Sequence, residues 1–325
     1  MRRVHYTEYG GPEVLRIEDA AIPEPGPGQV RIRAEAIGAN FVDTRFRIGP
    51  SSGPLFARPL PGSPGGDVVG VVDSTGPDVG PGLRGRRVAA LVAVGAFADY
   101  SVADAGWLVP VPDGLDDGAA SALPTSAPVA LGALRVGRLA PGDTVLVHAA
   151  AGGIGHLIVQ LARLLGAGTV IATAGSEAKL AFARECGADA AINYRSDDWP
   201  AQVRATAPDG VDLALDANGG DVLRHTLDLL APHGRVVVYG AAGGELVGIP
   251  VSGLFPLRSA LAYSILGRRA AEPDTVRAEL EELAELLVHG RLRNHVHTRL
   301  PLTEAAEAHR ILDARRQHGR VLLTP

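Results

Sequence analysis

Apolar residues at Ile154, Leu157, Ile158, Leu161, Ala162 and Leu165 recur at the spacing of one helix face, and Gly166 closes the run. Before them, "TVLVHAA" reads as a buried strand. The same rhythm continues: "GTVIATA" predicts a strand, "EAKLAFARECG" a helix, "VDLALDA" and "RVVVYGAA" further strands, with "DVLRHTLDLL" helical between them. Strands alternating with helices predict a parallel, doubly wound sheet. Residues up to about 115 differ. Short strands such as "QVRIRAEAIGAN" and "DVVGVVDS" lie between the turns "PEPGPG" and "GPDVGPG", so this part is mostly β. "SSGPLFARPLPGSPGG" predicts a loop with a mobile tip. After the α/β rhythm, "TVRAELEELAELLVHG" predicts a helix with Val276, Leu280, Leu283 and Leu287 inward and its glutamates as a solvated face. "TEAAEAHRILDARR" predicts a second helix, N-capped by Thr303, and "RVLLTP" a last strand. This tail is expected to rejoin the first domain. The expected division is therefore 1–117, 118–257 and 258–325.

A length of 325 residues also implies two domains. The net charge of −5 argues against nucleic acid as the main partner. Cys186 is the single cysteine, which excludes an internal disulfide and fits a reducing compartment. The longest apolar run, Val88 to Ala98, is short of the about 20 residues a membrane helix needs. The start "MRRVHYTEYGG" lacks the apolar core of a signal peptide. A cytoplasmic protein with no membrane partner is expected.

The stretch "HAAAGGIG", His148 to Gly155, lies between the first strand and its helix. Aligned to GxGxxG it places Ala150, Gly152 and Gly155 at the three key positions. The middle glycine admits a pyrophosphate to the backbone, the last brings helix and strand together, and the helix N-terminus favours an anion. Ala151, Gly152, Gly153, Ile154 and Gly155 are therefore candidate dinucleotide-binding residues. An NAD site usually carries an acid at the end of the second strand. Here that end reads Ala174, Gly175, Ser176, with Lys179 following. Open backbone and a cation suit a 2′-phosphate, so NADPH is the expected cofactor.

"YGGPEVL", "GANFVDTR", "VHAAAGGIG", "INYRSDD" and "LLTP" together resemble the zinc-independent, zeta-crystallin-like quinone oxidoreductases of the medium-chain dehydrogenase/reductase superfamily. The resemblance spans nearly the whole chain. It implies a Rossmann domain inserted into a GroES-like β-rich catalytic domain, the cofactor in the cleft, and a homodimer often joined through the Rossmann sheets. It assigns the 2′-phosphate to Gly175, Lys179, Tyr194 and Arg315. It places Asn40, Asp43, Asn218 and Gly240 near the nicotinamide.

A catalytic zinc needs Cys, His and carboxylate ligands. Zinc-dependent cousins carry a Cys where "ANFVD" begins and His-Glu where this chain has Gly66-Asp67. The four-cysteine lobe is also missing, and His295 and His297 read as a surface pair, so no metal is expected. Without a Lewis acid, the acceptor must itself be electrophilic, as quinones and α,β-unsaturated carbonyls are. Asn40, Asp43 and Arg45 are the candidate catalytic residues, with Asn40 and Arg45 bonding the developing oxyanion. The chain departs from the family at Arg45 (often tyrosine), Asp67 (often glutamate), Val129 (usually threonine) and Asn218 (in "ANGG" for "SVGG"). Arg45, Arg47 and Arg58 around the mouth suit an acidic or phosphate-bearing substrate, unless all three are solvated. The leading expectation is an NADPH-dependent quinone or enone reductase. The alternatives are an enoyl-thioester reductase and a non-catalytic NADPH-binding protein.

Overall fold

The computed structural model describes residues 1–243 and 247–325, apart from the side chain of Pro54. Its contacts divide the chain into two units, Met1–Thr125 with Glu282–Pro325, and Ser126–Glu281. In the first unit β1 (Arg2–His5) pairs antiparallel with β2 (Arg16–Asp19). Next come β3 (Gln29–Ala39), α1 (Phe41–Ile48), β4 (Gly66–Thr75), β5 (Arg87–Val92), β6 (Tyr100–Asp104), β7 (Val109–Pro110) and the short α2 (Asp117–Ala120). Val30, Ile32 and Ala34 alternate inward along β3, the period-two pattern of a sheet with one buried face.

The second unit begins with α3 (Ser126–Val136), β8 (Thr144–Val147), α4 (Gly155–Leu164), β9 (Thr169–Ala174), α5 (Glu177–Glu185) and β10 (Ala190–Asn193). It continues with α6 (Trp199–Thr206), β11 (Val211–Asp216), α7 (Gly220–Leu229), β12 (Leu230–Val238), β13 (Ser259–Ala262), α8 (Ile265–Ala271) and α9 (Pro273–Val288), whose last turns pass into the first unit. The strand order β10-β9-β8-β11-β12-β13, parallel throughout, is that of the doubly wound dinucleotide fold. Its order reverses between β8 and β11, which opens a crevice at the strands' carboxyl ends. The chain then adds β14 (Val296–Pro301), α10 (Ala305–Asp313) and β15 (Arg320–Thr324) to the first unit. There β15 pairs with β3 in the order β14-β15-β3-β4-β5-β7, with β6 also on β3.

Both expected domain boundaries move. Residues 118–125 stay with the first unit, where Asn294 donates to the Gly118 carbonyl at 2.6 Å. Residues 258–281 stay with the second, because β13 extends the parallel sheet beside β12 and Tyr263 donates to the Pro128 carbonyl at 3.0 Å. The glutamates of α9 are not uniformly solvated. Glu279 is 1% exposed and accepts from Arg268 at 2.7 and 2.8 Å and pairs with Arg135 at 3.0 Å, two cations that offset its burial. Thr303 is not the N-cap of α10. It lies in a preceding 3₁₀ turn, and Glu304 takes the cap position.

Candidate active site

The glycine turn is shaped by backbone contacts within the second unit. The His148 N–H donates to the Leu215 carbonyl and the Ala150 N–H to that of Thr173, which brings the ends of β8, β9 and β11 together. Ala149 adopts φ 50° and Gly152 closes the turn onto its carbonyl at 2.9 Å. A Cβ on Gly155 would lie 2.2 Å from the Ala149 oxygen, so only glycine lets α4 start this close to the strand. No side chain caps the first turn of α4, which suits a helix end that receives an anion. His148 is fully buried and bridges Thr173 and Thr226, each at 2.8 Å. Burial pushes it down to about 3, so it is neutral and acts as a brace.

At the end of β9, Gly175 sits beneath the side chains of Tyr194 and Arg195, whose Oη and Nε are each 3.0 Å from where its Cβ would be. Ser176 takes the N-cap position of α5 without using its hydroxyl as a cap. Lys179 follows in the first turn. Gly175, Ser176, Lys179 and Tyr194 thus fall in one region. At the end of β11, buried Asp216 accepts from the N–H groups of Asn218 (3.0 Å) and Gly219 (2.9 Å), and burial raises its pKa. This turn fixes Asn218. The Asn218 carbonyl accepts from Gly243 at 2.7 Å, which ties the Asn218 turn to the loop carrying Gly240. A largely apolar cavity of about 260 Å³ beside them is lined by Gly219, Leu223, Val238, Gly240, Val247 and Ile249, among others.

In the first unit, Asn40 ends β3 and precedes α1. Its Nδ2 donates to Asp67 at 3.2 Å and its Oδ1 accepts from Arg320 at 2.9 Å, which fixes the amide orientation and leaves one N–H to offer elsewhere. Asp67, fully buried, also accepts from Arg320 at 2.7 Å and Thr125 at 2.6 Å. Asp43 is 5% exposed, and its Oδ2 has no hydrogen-bond partner among the described residues. Burial raises its carboxyl to about 7, helped by the nearby Asp67 charge and opposed by Arg58 and the N–H groups of Asn40 and Gly65.

The three arginines are not a solvated set. Arg47 is 1% exposed and donates to Asp313 at 2.7 Å, so it lies in the interior rather than at a mouth. Arg45 shares the same carboxylate at 3.2 Å, bonds Thr44, and lies 4.7 Å from the Phe41 ring centre. Arg58 stacks on Phe46 at 3.6 Å and donates to the Ala93 carbonyl. Arg315 lies 6.0 Å from the Phe41 ring, on a backbone with φ 51° just after α10.

These residues fit a dinucleotide: glycines keep the backbone bare at the turn and at Gly175, with Arg195 beside Gly175 and Lys179 in the helix turn that follows it. They fit zinc poorly. Among the described residues no three His, Cys, Asp or Glu side chains converge, and the Arg320 guanidinium already neutralises Asp67. Sequence reasoning missed Thr125, Arg320, Asp216 and Arg195. Only "INYRSDD" held a signal for one of them.

Residues 26–113 match the family of alcohol dehydrogenase GroES-like domains, and residues 153–287 the zinc-binding dehydrogenases. A quinone oxidoreductase of Pseudomonas aeruginosa is 36% identical over 100% of this chain and 99% of its own length. A 2-haloacrylate reductase of Burkholderia sp. is 37% identical over 97% of this chain and 96% of its own. Among solved structures, Escherichia coli quinone oxidoreductase complexed with NADPH superposes with a TM-score of 0.92 at 29% identity, covering 100% of both chains. With two family models and full-length relatives in agreement, the chain belongs to the zeta-crystallin-like quinone oxidoreductases of the medium-chain dehydrogenase/reductase superfamily.

Proposed function

We propose that this protein is an NADPH-dependent reductase that delivers hydride to a quinone or an α,β-unsaturated carbonyl without zinc. The observation that carries the reading is the end of β9, where Gly175 stands in place of an acid beneath Tyr194 and Arg195. An acid there would select NAD by bonding the ribose 2′-OH; bare backbone and cations favour the 2′-phosphate. In the second unit, Ala151 to Gly155 would hold the pyrophosphate, Lys179, Ser176 and Tyr194 the 2′-phosphate, and Asn218 and Gly240 the nicotinamide end; in the first unit, Asn40 and Arg315 are the residues the family resemblance adds. The bound cofactor supplies the hydride.

The chain's residues then orient the acceptor and manage one proton. Asn40, locked by Asp67 and Arg320, offers its remaining N–H to the developing oxyanion. Asp43, a buried carboxyl that keeps its proton to about pH 7, is suited to supply the proton that completes the reduction. Arg45 gives a second reading some support: a cation beside α1 suits an acidic enoate, and the similar Burkholderia protein is a 2-haloacrylate reductase. A homodimer is supported by β13, the outer strand of its sheet, and by the nearby Val251, Phe255 and Leu257, 70, 76 and 61% exposed. The single cysteine supports a cytoplasmic location.

The test is NADPH oxidation by purified protein with a quinone, a neutral enone, an enoate and an enoyl thioester. Turnover of the first two supports the reading. Turnover confined to the thioester replaces it with the enoyl-thioester reductase, and tight NADPH binding with no turnover makes the protein non-catalytic.

A further inference from the structure

The sequence leaves Arg195 as one of many charged residues after a strand, yet the sheet register aims it at a specific place. β10 runs parallel to β9 with Asn193 opposite Ala174, and the Tyr194 N–H donates to the Ala174 carbonyl at 3.2 Å. The Arg195 N–H donates to the Asn193 Oδ1 at 3.0 Å, which turns the chain at this point. The result is that Arg195 Nε and Tyr194 Oη each come to 3.0 Å from the position a Cβ would take on Gly175. Among the described residues the Arg195 guanidinium has no carboxylate partner, and the residue is exposed. Glu177, the acid nearest Gly175 in sequence, is itself exposed in the first turn of α5.

We propose that Arg195 is a specificity-determining residue that reads the 2′-phosphate of the cofactor, alongside Lys179. Resting on the NADPH reading above, it does two things. It adds a delocalised cation whose planar donors match a phosphate. It also lies, with Tyr194, 3.0 Å from where a Cβ on Gly175 would stand, so the bare glycine is what lets the guanidinium settle over this strand end.

The test compares 2′,5′-ADP with 5′-AMP, two probes that differ only in that phosphate, by calorimetric titration of the full-length protein. Wild type should bind 2′,5′-ADP more tightly. Arg195→Ala should weaken 2′,5′-ADP by about tenfold, the size of one charge-assisted contact, and leave 5′-AMP unchanged; Arg195→Lys should recover part of the loss. Unchanged 5′-AMP affinity also shows that the variant is folded. If wild type discriminates and Arg195→Ala discriminates equally well, the inference is overturned while the NADPH reading stands. Equal loss for both probes also overturns it. If wild type itself fails to discriminate, both fall.

Discussion

Arg320 and Asp67 lie 253 residues apart in the chain, yet the Arg320 Nη2 donates to the Asp67 Oδ2 at 2.7 Å with both side chains buried. The guanidinium also reaches Asn40, so one ion pair fixes a candidate catalytic amide and neutralises the carboxylate where zinc-dependent cousins hold a metal ligand. Removing one partner leaves an unpaired buried charge. Arg320→Ala should therefore cost about 3–5 kcal/mol in urea unfolding, and the double variant with Asp67→Ala less than the two single losses combined. Additive losses would show that the pair does not act as a unit.

Lys179→Ala should weaken NADPH by about tenfold or more and NADH little. A unit charge pair at about 4 Å is worth roughly 4 kcal/mol at an effective dielectric of 20, and a fraction of that survives desolvation. Dissociation constants for both cofactors check this. Equal losses would remove Lys179 from the phosphate site.

Asp43 gives a pH signature of known sign. Its carboxyl ionises near 4 in the unfolded chain and about 7 in the folded one, so between these values the folded state holds a proton that the unfolded state has released. Through this group, stability should fall as pH rises from about 4 to about 7, by roughly 4 kcal/mol, and then level off. Asp43→Asn should lack this component. As proton donor, Asp43 should also give wild-type turnover that declines as pH passes about 7, and the variant should lose that ionisation. Identical pH profiles for both proteins would exclude the role.

Arg45→Ala separates substrate contact from scaffolding. Asp313 keeps Arg47 as a partner at 2.7 Å, so the stability loss should be small, about 0–1 kcal/mol. If Arg45 holds an acidic acceptor, the Michaelis constant for an enoate rises while a neutral quinone is unaffected. If it bonds the oxyanion, turnover falls for both. Unchanged kinetics with both acceptors would place Arg45 outside the site.

The α/β rhythm of the second unit was legible because each strand and helix carries its own period, and the glycine turn was legible because its contacts are local. What stayed hidden depends on distant partners. Glu279 looks like its neighbours on α9 until Arg268 and Arg135 fold against it. Arg47 reads as a surface charge until α10 brings Asp313 to it. The second domain boundary moved because β13 is a short strand whose pairing with β12, not its pattern, assigns it to the sheet. Arg195 meets Gly175 only through the β9–β10 register.

The proposed reaction is hydride delivery from NADPH to an electrophilic carbon without a metal. The most direct measurement uses NADPH carrying two deuterium atoms at nicotinamide C4, with a neutral enone as acceptor, after prolonged chelation, and reads the product by mass spectrometry and NMR. Such delivery should leave one deuterium at the β-carbon, a hydrogen from the solvent pool at the α-carbon, and a rate unaffected by the chelator. A product without deuterium, or one formed only after zinc is restored, would contradict it.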